Sequence, residues 1–245
     1  MPRRRIDLTA LVADMEAIYG PPPAMPRFSP MDELVSCILS QHTADANSLP
    51  AFYRLKEAMP DWETIASAPT EQVADLIRKA GLANQKAKSI QSALRCIREL
   101  TGSYDIGLLA EMPPIEARRW LEALPGVGPK TASIVLCFSF GMDLPPVDTH
   151  VFRVAWRLGL FPKEIGEAKA HDALLKVMPK GLGYRLHMAF IQHGRSVCRA
   201  PKPRCEACEF SEMCAFFRAG PPRQKRDNKK AMGSNEAKPG ETEAA

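Results

Sequence analysis

Leu124-Pro125-Gly126-Val127-Gly128-Pro129-Lys130-Thr131-Ala132 is the stretch from which the fold of this chain is read. Before it, residues 115–124 space their apolar side chains as a helix does; after it, the apolar run 132–140 stops at Gly141. Two helices are thus joined by a turn with glycines two apart. Such a turn leaves main-chain N–H groups uncovered, and the helix that follows adds the positive end of its dipole. Gly126, Val127, Gly128 and Thr131 are therefore candidates to hold a backbone phosphate of a nucleic acid, a contact that grips a strand without reading its sequence. An ordinary helix–helix connection is the plainer reading of a bare G-x-G. Amphipathic helices on both sides and the immediate Lys-Thr make the phosphate reading far more specific.

Working outward, Ser29-Pro30-Met31-Asp32 offers an N-cap, a first-turn proline and an early acid ahead of apolar Leu34, Val35, Ile38 and Leu39. Val73, Leu76, Ile77 and Ala80 recur at helical spacing up to Gly81, which sits where a left-handed cap is wanted. Ala87, Ile90, Leu94, Ile97 and Leu100 form another face, and segments 148–158 and 168–177 complete the strongest helices. No segment alternates with period two, so the expected class is all-α. Segment 20–30 holds five prolines and reads as a linker. Residues 219–245 are polar and poor in aromatics, and are expected to form a disordered tail.

At 245 residues the chain is long enough for one large domain or two modest lobes. Its net charge is +5, of which the tail, with six Lys/Arg against four Asp/Glu, supplies +2. That excess does not establish nucleic-acid binding by itself; its placement says more, because 195–204 carries four positive residues and no acid. No run of eighteen apolar residues occurs and no export signal opens the sequence, so a membrane protein is not expected. Seven cysteines without such a signal favour the reducing cytoplasm over a disulfide framework.

Two side chains near the glycine turn carry chemistry. Lys130 falls in the first turn of a helix, where the dipole disfavours an ammonium by a few tenths to about 1 kcal/mol, and burial would add to this. A neutral amine attacks carbon, so Lys130 is either a Schiff-base nucleophile or a phosphate-binding lysine. Asp148, after Pro145-Pro146-Val147, reads as the N-cap of the next helix. A carboxylate fed by helix N–H groups also suits a cationic transition state. His150 reads as a packing histidine beside it.

Further on, Cys198, Cys205, Cys208 and Cys214 fall as C-x6-C-x2-C-x5-C within seventeen residues, laced with Arg199, Lys202 and Arg204. Four sulfurs this close fold around one centre with little loop entropy, and both zinc and an iron–sulfur cube accept such a cage.

L-P-G-V-G-P-K-T-A, V-D-T-H-V-F-R-V and H-G-R-S-V-C-x6-C-x2-C-x5-C together resemble the endonuclease III family of helix-hairpin-helix DNA glycosylases. The resemblance runs from about Met31 to Ala219 and implies two helical lobes with a DNA cleft between them. It implies residues 31–143 as a helical lobe with the hairpin, 144–218 as a cluster lobe that segment 1–30 completes, and 219–245 as the tail. By resemblance Lys130 and Asp148 are catalytic, the four cysteines hold a [4Fe-4S] cluster, and the partner of a monomeric, cytoplasmic enzyme is double-stranded DNA with damaged bases or abasic sites. The implied activity is excision of oxidised pyrimidines followed by AP lyase cleavage. Arg199, Lys202 and Arg204 would meet phosphates. Leu82 would be an apolar wedge, with Gln41 or His42 as the polar filler of the gap left by an everted base. Leu39-Ser40-Gln41-His42-Thr43-Ala44-Asp45 departs from the family's commonest L-S-A-Q-A-T-D, and Ala80 replaces a larger apolar residue, which would make a smaller wedge. A mismatch- or dimer-specific glycosylase and a non-catalytic DNA-binding relative are the alternatives.

Overall fold

The computed structural model describes residues 6–220. Twelve α-helices follow one another among the described residues, with no strand: α1 (Leu8–Tyr19), α2 (Pro30–Ser40), α3 (Asp45–Ala58), α4 (Trp62–Ser67), α5 (Thr70–Leu76), α6 (Ala83–Thr101), α7 (Pro114–Glu122), α8 (Pro129–Phe140), α9 (Thr149–Leu158), α10 (Gly166–Val177), α11 (Gly183–Ser196) and α12 (Ala215–Arg218). None is long and apolar enough to cross a membrane. The expected tail lies outside the described residues from 221 onward.

Two hydrophobic cores organise the helices. One gathers apolar side chains of α2 to α8, from Met31 to Leu144. The other joins Leu8, Leu11, Val12 and Met15 of α1 to residues between Val147 and Phe210. α1 is fixed there by burial and by Arg185 of α11, which donates through Nε and Nη2 to Glu16.

Local signals explain most boundaries. Ser29 caps α2 by accepting from the Asp32 amide at 3.3 Å, with Pro30 at the first helical position. The helix expected to run to Ala80 instead ends at Leu76, and Arg78–Ala80 forms a tighter 3₁₀ turn closed by Ala80 N–H to the Ile77 carbonyl. Gly81 takes the positive φ foreseen for it, +66°. α3 carries Pro50 inside it and α11 starts at Gly183 and contains Gly194, so neither announces itself by composition. Packing holds them: Phe52 and Leu55 are buried in the first core, Leu186 and Phe190 in the second.

Candidate functional site

Lys130 is the second residue of α8, and Asp148 caps α9 by accepting from the Val151 amide at 2.7 Å. Both line one cavity of about 200 Å³ walled by helices from both cores, through Cys37 of α2, Phe138 of α8, and His187 and Ile191 of α11. Lys130 is exposed at this cavity, so the burial that would have favoured a neutral amine does not occur in the free protein. Burial raises the Cys37 thiol well above its ordinary range, with Glu33 adding to the effect. A thiol held protonated is no nucleophile.

Two buried histidines fix the segment that delivers Asp148. His171 Nε2 accepts from the Val147 N–H at 3.1 Å while its Nδ1 donates to the Glu167 carbonyl at 3.3 Å. His187 Nδ1 donates to the Pro146 carbonyl at 2.8 Å. An imidazole that both accepts and donates is neutral, and burial pushes His171 down to about 4. An unfolded histidine protonates near 6.5, so the unfolded chain takes up the proton first as pH falls. His171 therefore contributes stability that is whole above about pH 6.5 and lost between there and about 4, an upper limit of about 3 kcal/mol. Urea titrations across this window should show stability falling with pH, with a shallower slope in His171→Gln. His150 packs instead on Arg153, Nδ1 to Nη2 at 3.0 Å.

In the glycine turn, Gly126 has φ +78°, and a Cβ there would stand 2.8 Å from the Ser89 Cβ, so only glycine fits. Val127 corrects its expected role, since its side chain is buried in the first core and its N–H bonds the Leu124 carbonyl at 3.1 Å. Thr131 is likewise buried, and its hydroxyl accepts from the Gln41 amide at 3.3 Å. The donors left for a phosphate are main-chain N–H groups at Gly128 and in the first turn of α8, which have no intrahelical partner. A Cβ on Gly128 would meet nothing within 4 Å, so this edge of the turn is open.

Gln41 also donates to the Gly126 carbonyl at 2.9 Å. Its amide braces the hairpin from the end of α2, whereas His42 is exposed. His42 and Leu82 have φ of +54° and +48°, the two non-glycine residues with positive φ among those described. Leu82 is 58% exposed. Both strained, protruding residues are the ones the sequence nominates for insertion into a duplex. Ala80 does not belong to the wedge: it is 0% exposed in the first core. Ala80→Ile is accordingly expected to overpack that core by about 1–3 kcal/mol and lower the melting temperature.

The four cysteines line a common cavity with Val154, Leu158, Phe210, Phe216 and Phe217. Burial pushes Cys208 up to about 11 and raises Cys205. Among the described residues no three His, Cys, Asp or Glu side chains are grouped to hold a single metal ion. Arg157 Nη1 donates to Cys198 Sγ at 3.3 Å and to the Arg199 carbonyl at 2.9 Å. Arg153 donates to the Cys198 and Gly194 carbonyls at 2.8 and 2.9 Å. These two arginines tie the loop to α9, the helix that Asp148 caps. Arg199, Lys202 and Arg204 are all exposed.

Sequence logic passed over Lys86, a residue 3% exposed whose ammonium bonds both the His42 and the Leu82 loops. Its signal was present: Lys86 falls on the core-facing register of α6, beside Ala87 and Ile90.

An all-helical chain with a glycine hairpin, and with a lysine and a helix-capping aspartate on one cavity between two cores, defines a helix-hairpin-helix base-excision glycosylase. Residues 35–180 match the model of the HhH-GPD superfamily base excision DNA repair proteins. Endonuclease III of Thermotoga maritima is 35% identical over 189 residues, 77% of this chain and 84% of the relative. Endonuclease III of Escherichia coli strain K12 is 35% identical over 188 residues, 77% and 84% of the two chains. A solved non-covalent endonuclease III–DNA complex superposes with a TM-score of 0.74 at 27% identity, covering 88% of this chain and 97% of that one. The chain belongs to the HhH-GPD superfamily and, within it, to the endonuclease III family.

Proposed function

We propose that this chain is a bifunctional glycosylase and AP lyase that removes oxidised pyrimidines from duplex DNA. The observation that carries this reading is that Lys130 and Asp148, eighteen residues apart, open onto one cavity. The damaged nucleotide is everted, because its C1′ is out of reach within the stack. The Lys130 Nζ lone pair attacks C1′, and the bond from C1′ to the base breaks with its electrons leaving on the base, which solvent protonates. Asp148 stabilises the positive charge developing on the sugar. Opening of the C1′–O4′ bond gives the imine. Loss of a C2′ proton then expels the 3′ phosphate, and water hydrolyses the imine to free the lysine.

DNA would be held by the N–H groups at Gly128 and the start of α8 and by Arg199, Lys202 and Arg204. Leu82 and His42 would fill the gap. Solved relatives of this fold are DNA complexes, which supports duplex DNA as the partner. Residues 31–143 and 144–218, the latter completed by the N-terminal segment, are read as two lobes of a monomeric cytoplasmic enzyme. Cys198, Cys205, Cys208 and Cys214 would hold a [4Fe-4S] cluster: four soft donors facing one cavity lined by Val154, Leu158 and three phenylalanines, with Arg157 donating to the Cys198 sulfur, fit it. When bound it would cross-link the basic loop and supply no step of the reaction.

A lesion panel with borohydride trapping tests the reading. Covalent complexes are expected with thymine glycol and abasic duplexes and not with undamaged DNA. Trapping with mismatched thymine or ultraviolet dimers alone would move the specificity, and DNA binding without any trapped complex would make the chain a non-catalytic relative.

A further inference from the structure

Lys86 sits in the first turns of α6 and is 3% exposed, yet it faces no carboxylate among its bonded partners. Its Nζ donates to the Leu39 carbonyl at 2.6 Å, the Thr43 hydroxyl at 2.7 Å and the Ala80 carbonyl at 2.8 Å. An ammonium has three protons, so its donor capacity is filled. Thr43 Oγ1 in turn donates to the Ala80 carbonyl. Leu39 and Thr43 flank His42, whereas Ala80 precedes Gly81 and Leu82. One buried charge therefore stitches together the two segments that carry the positive-φ residues.

Keeping an ammonium out of water costs several kcal/mol unless its hydrogen bonds are all made, and a methionine of similar length would fill the same space without that cost. A charge in such a place serves geometry, because three directional bonds fix a spacing that apolar packing does not. Loss of the ammonium would leave the buried Leu39 carbonyl without its donor and the Ala80 carbonyl with the Thr43 hydroxyl alone, and the two loops would relax apart.

We propose that Lys86 is a positioning residue that locks the His42 and Leu82 loops into one rigid unit, so that filler and wedge enter the duplex together and hold a paired base out of the stack. This rests on the glycosylase reading above. Lys86 does not touch the reacting atoms and Lys130 stays in its cavity without it, so the effect belongs to eversion and not to imine chemistry.

The discriminating experiment is single-turnover excision of thymine glycol paired with adenine, beside borohydride trapping on a preformed abasic site, where no base needs to be unpaired. Lys86→Met in the full chain is expected to slow excision about a hundredfold, the scale of an ångström-level misplacement, while abasic-site trapping stays within about threefold. Stopped-flow fluorescence of 2-aminopurine next to the lesion should show the loss as slower eversion. Thr43→Val, which removes one acceptor and the link to Ala80 at nearly constant volume, is expected to give the same split at about tenfold, and it carries the test if Lys86→Met fails to fold. Equal losses on both substrates, or unchanged excision in both variants, would overturn the proposal. Absence of excision and trapping in the unmodified chain would instead defeat the glycosylase reading itself.

Discussion

Lys130→Gln is expected to abolish the borohydride-trapped complex and to slow strand cleavage by on the order of 10⁴-fold or more, the scale on which removal of a covalent nucleophile is felt. Borohydride delivers hydride to the carbon of a C=N bond, so trapping reports an amine already bonded to C1′. Lys130 is the lysine that lines the cavity with Asp148. Glutamine keeps the length and a polar end but has no basic lone pair on nitrogen. The variant removes one positive charge, so affinity for duplex DNA carrying an unreactive abasic analogue should fall by no more than about tenfold. Loss of trapping with binding kept separates chemistry from grip. A trapped complex of undiminished yield would place the nucleophile on another amine, and loss of binding alongside trapping would return Lys130 to the role of a phosphate clamp.

Asp148→Asn is expected to slow excision by about 10²–10³-fold, the scale for losing one preorganised electrostatic group at a developing charge. This substitution divides the two roles of the residue. Asn caps helices about as well as Asp, so the bond from the Val151 amide has a substitute acceptor and stability should change by no more than about 0.5 kcal/mol. What disappears is the negative charge on the cavity wall shared with Lys130. Thermal melting and single-turnover excision measured together check this. A stability loss with normal excision would leave Asp148 as a cap and nothing else.

The helix pattern was largely legible because most helices obey local rules: Ser29 and Asp148 cap where the sequence places caps, and Gly81 ends a turn with positive φ. What escaped was held by contacts distant in sequence. α3 with Pro50 and α11 with its two glycines exist because of what they bury. At the site, residue types and spacing made Lys130, Asp148 and the four cysteines candidates, and the structure brings the first two to one cavity and the sulfurs to another. Side-chain traffic could not be read that way: Gln41 turned inward to the hairpin, Thr131 and Val127 went into the core, and Ala80 lies beneath the wedge loop. For Gln41, Thr131 and Ala80 the outcome involves a neighbour 37 to 90 residues away, through the Thr43–Ala80 and Gln41–Thr131 bonds. No local period records such a pairing.

α9 has Asp148 at its start and, within ten residues, Arg153 and Arg157 gripping carbonyls of the sulfur loop. A helix of that length is a rod of about 15 Å with no joint in it. Tilting one end of a rod moves the other. Damage to the sulfur end, by oxidant or by failure to load it, would thus be felt at the carboxylate as mechanical misalignment, with no electron needing to travel between them. On the proposed reading, the fragility of the thiols would reach the excision chemistry through leverage.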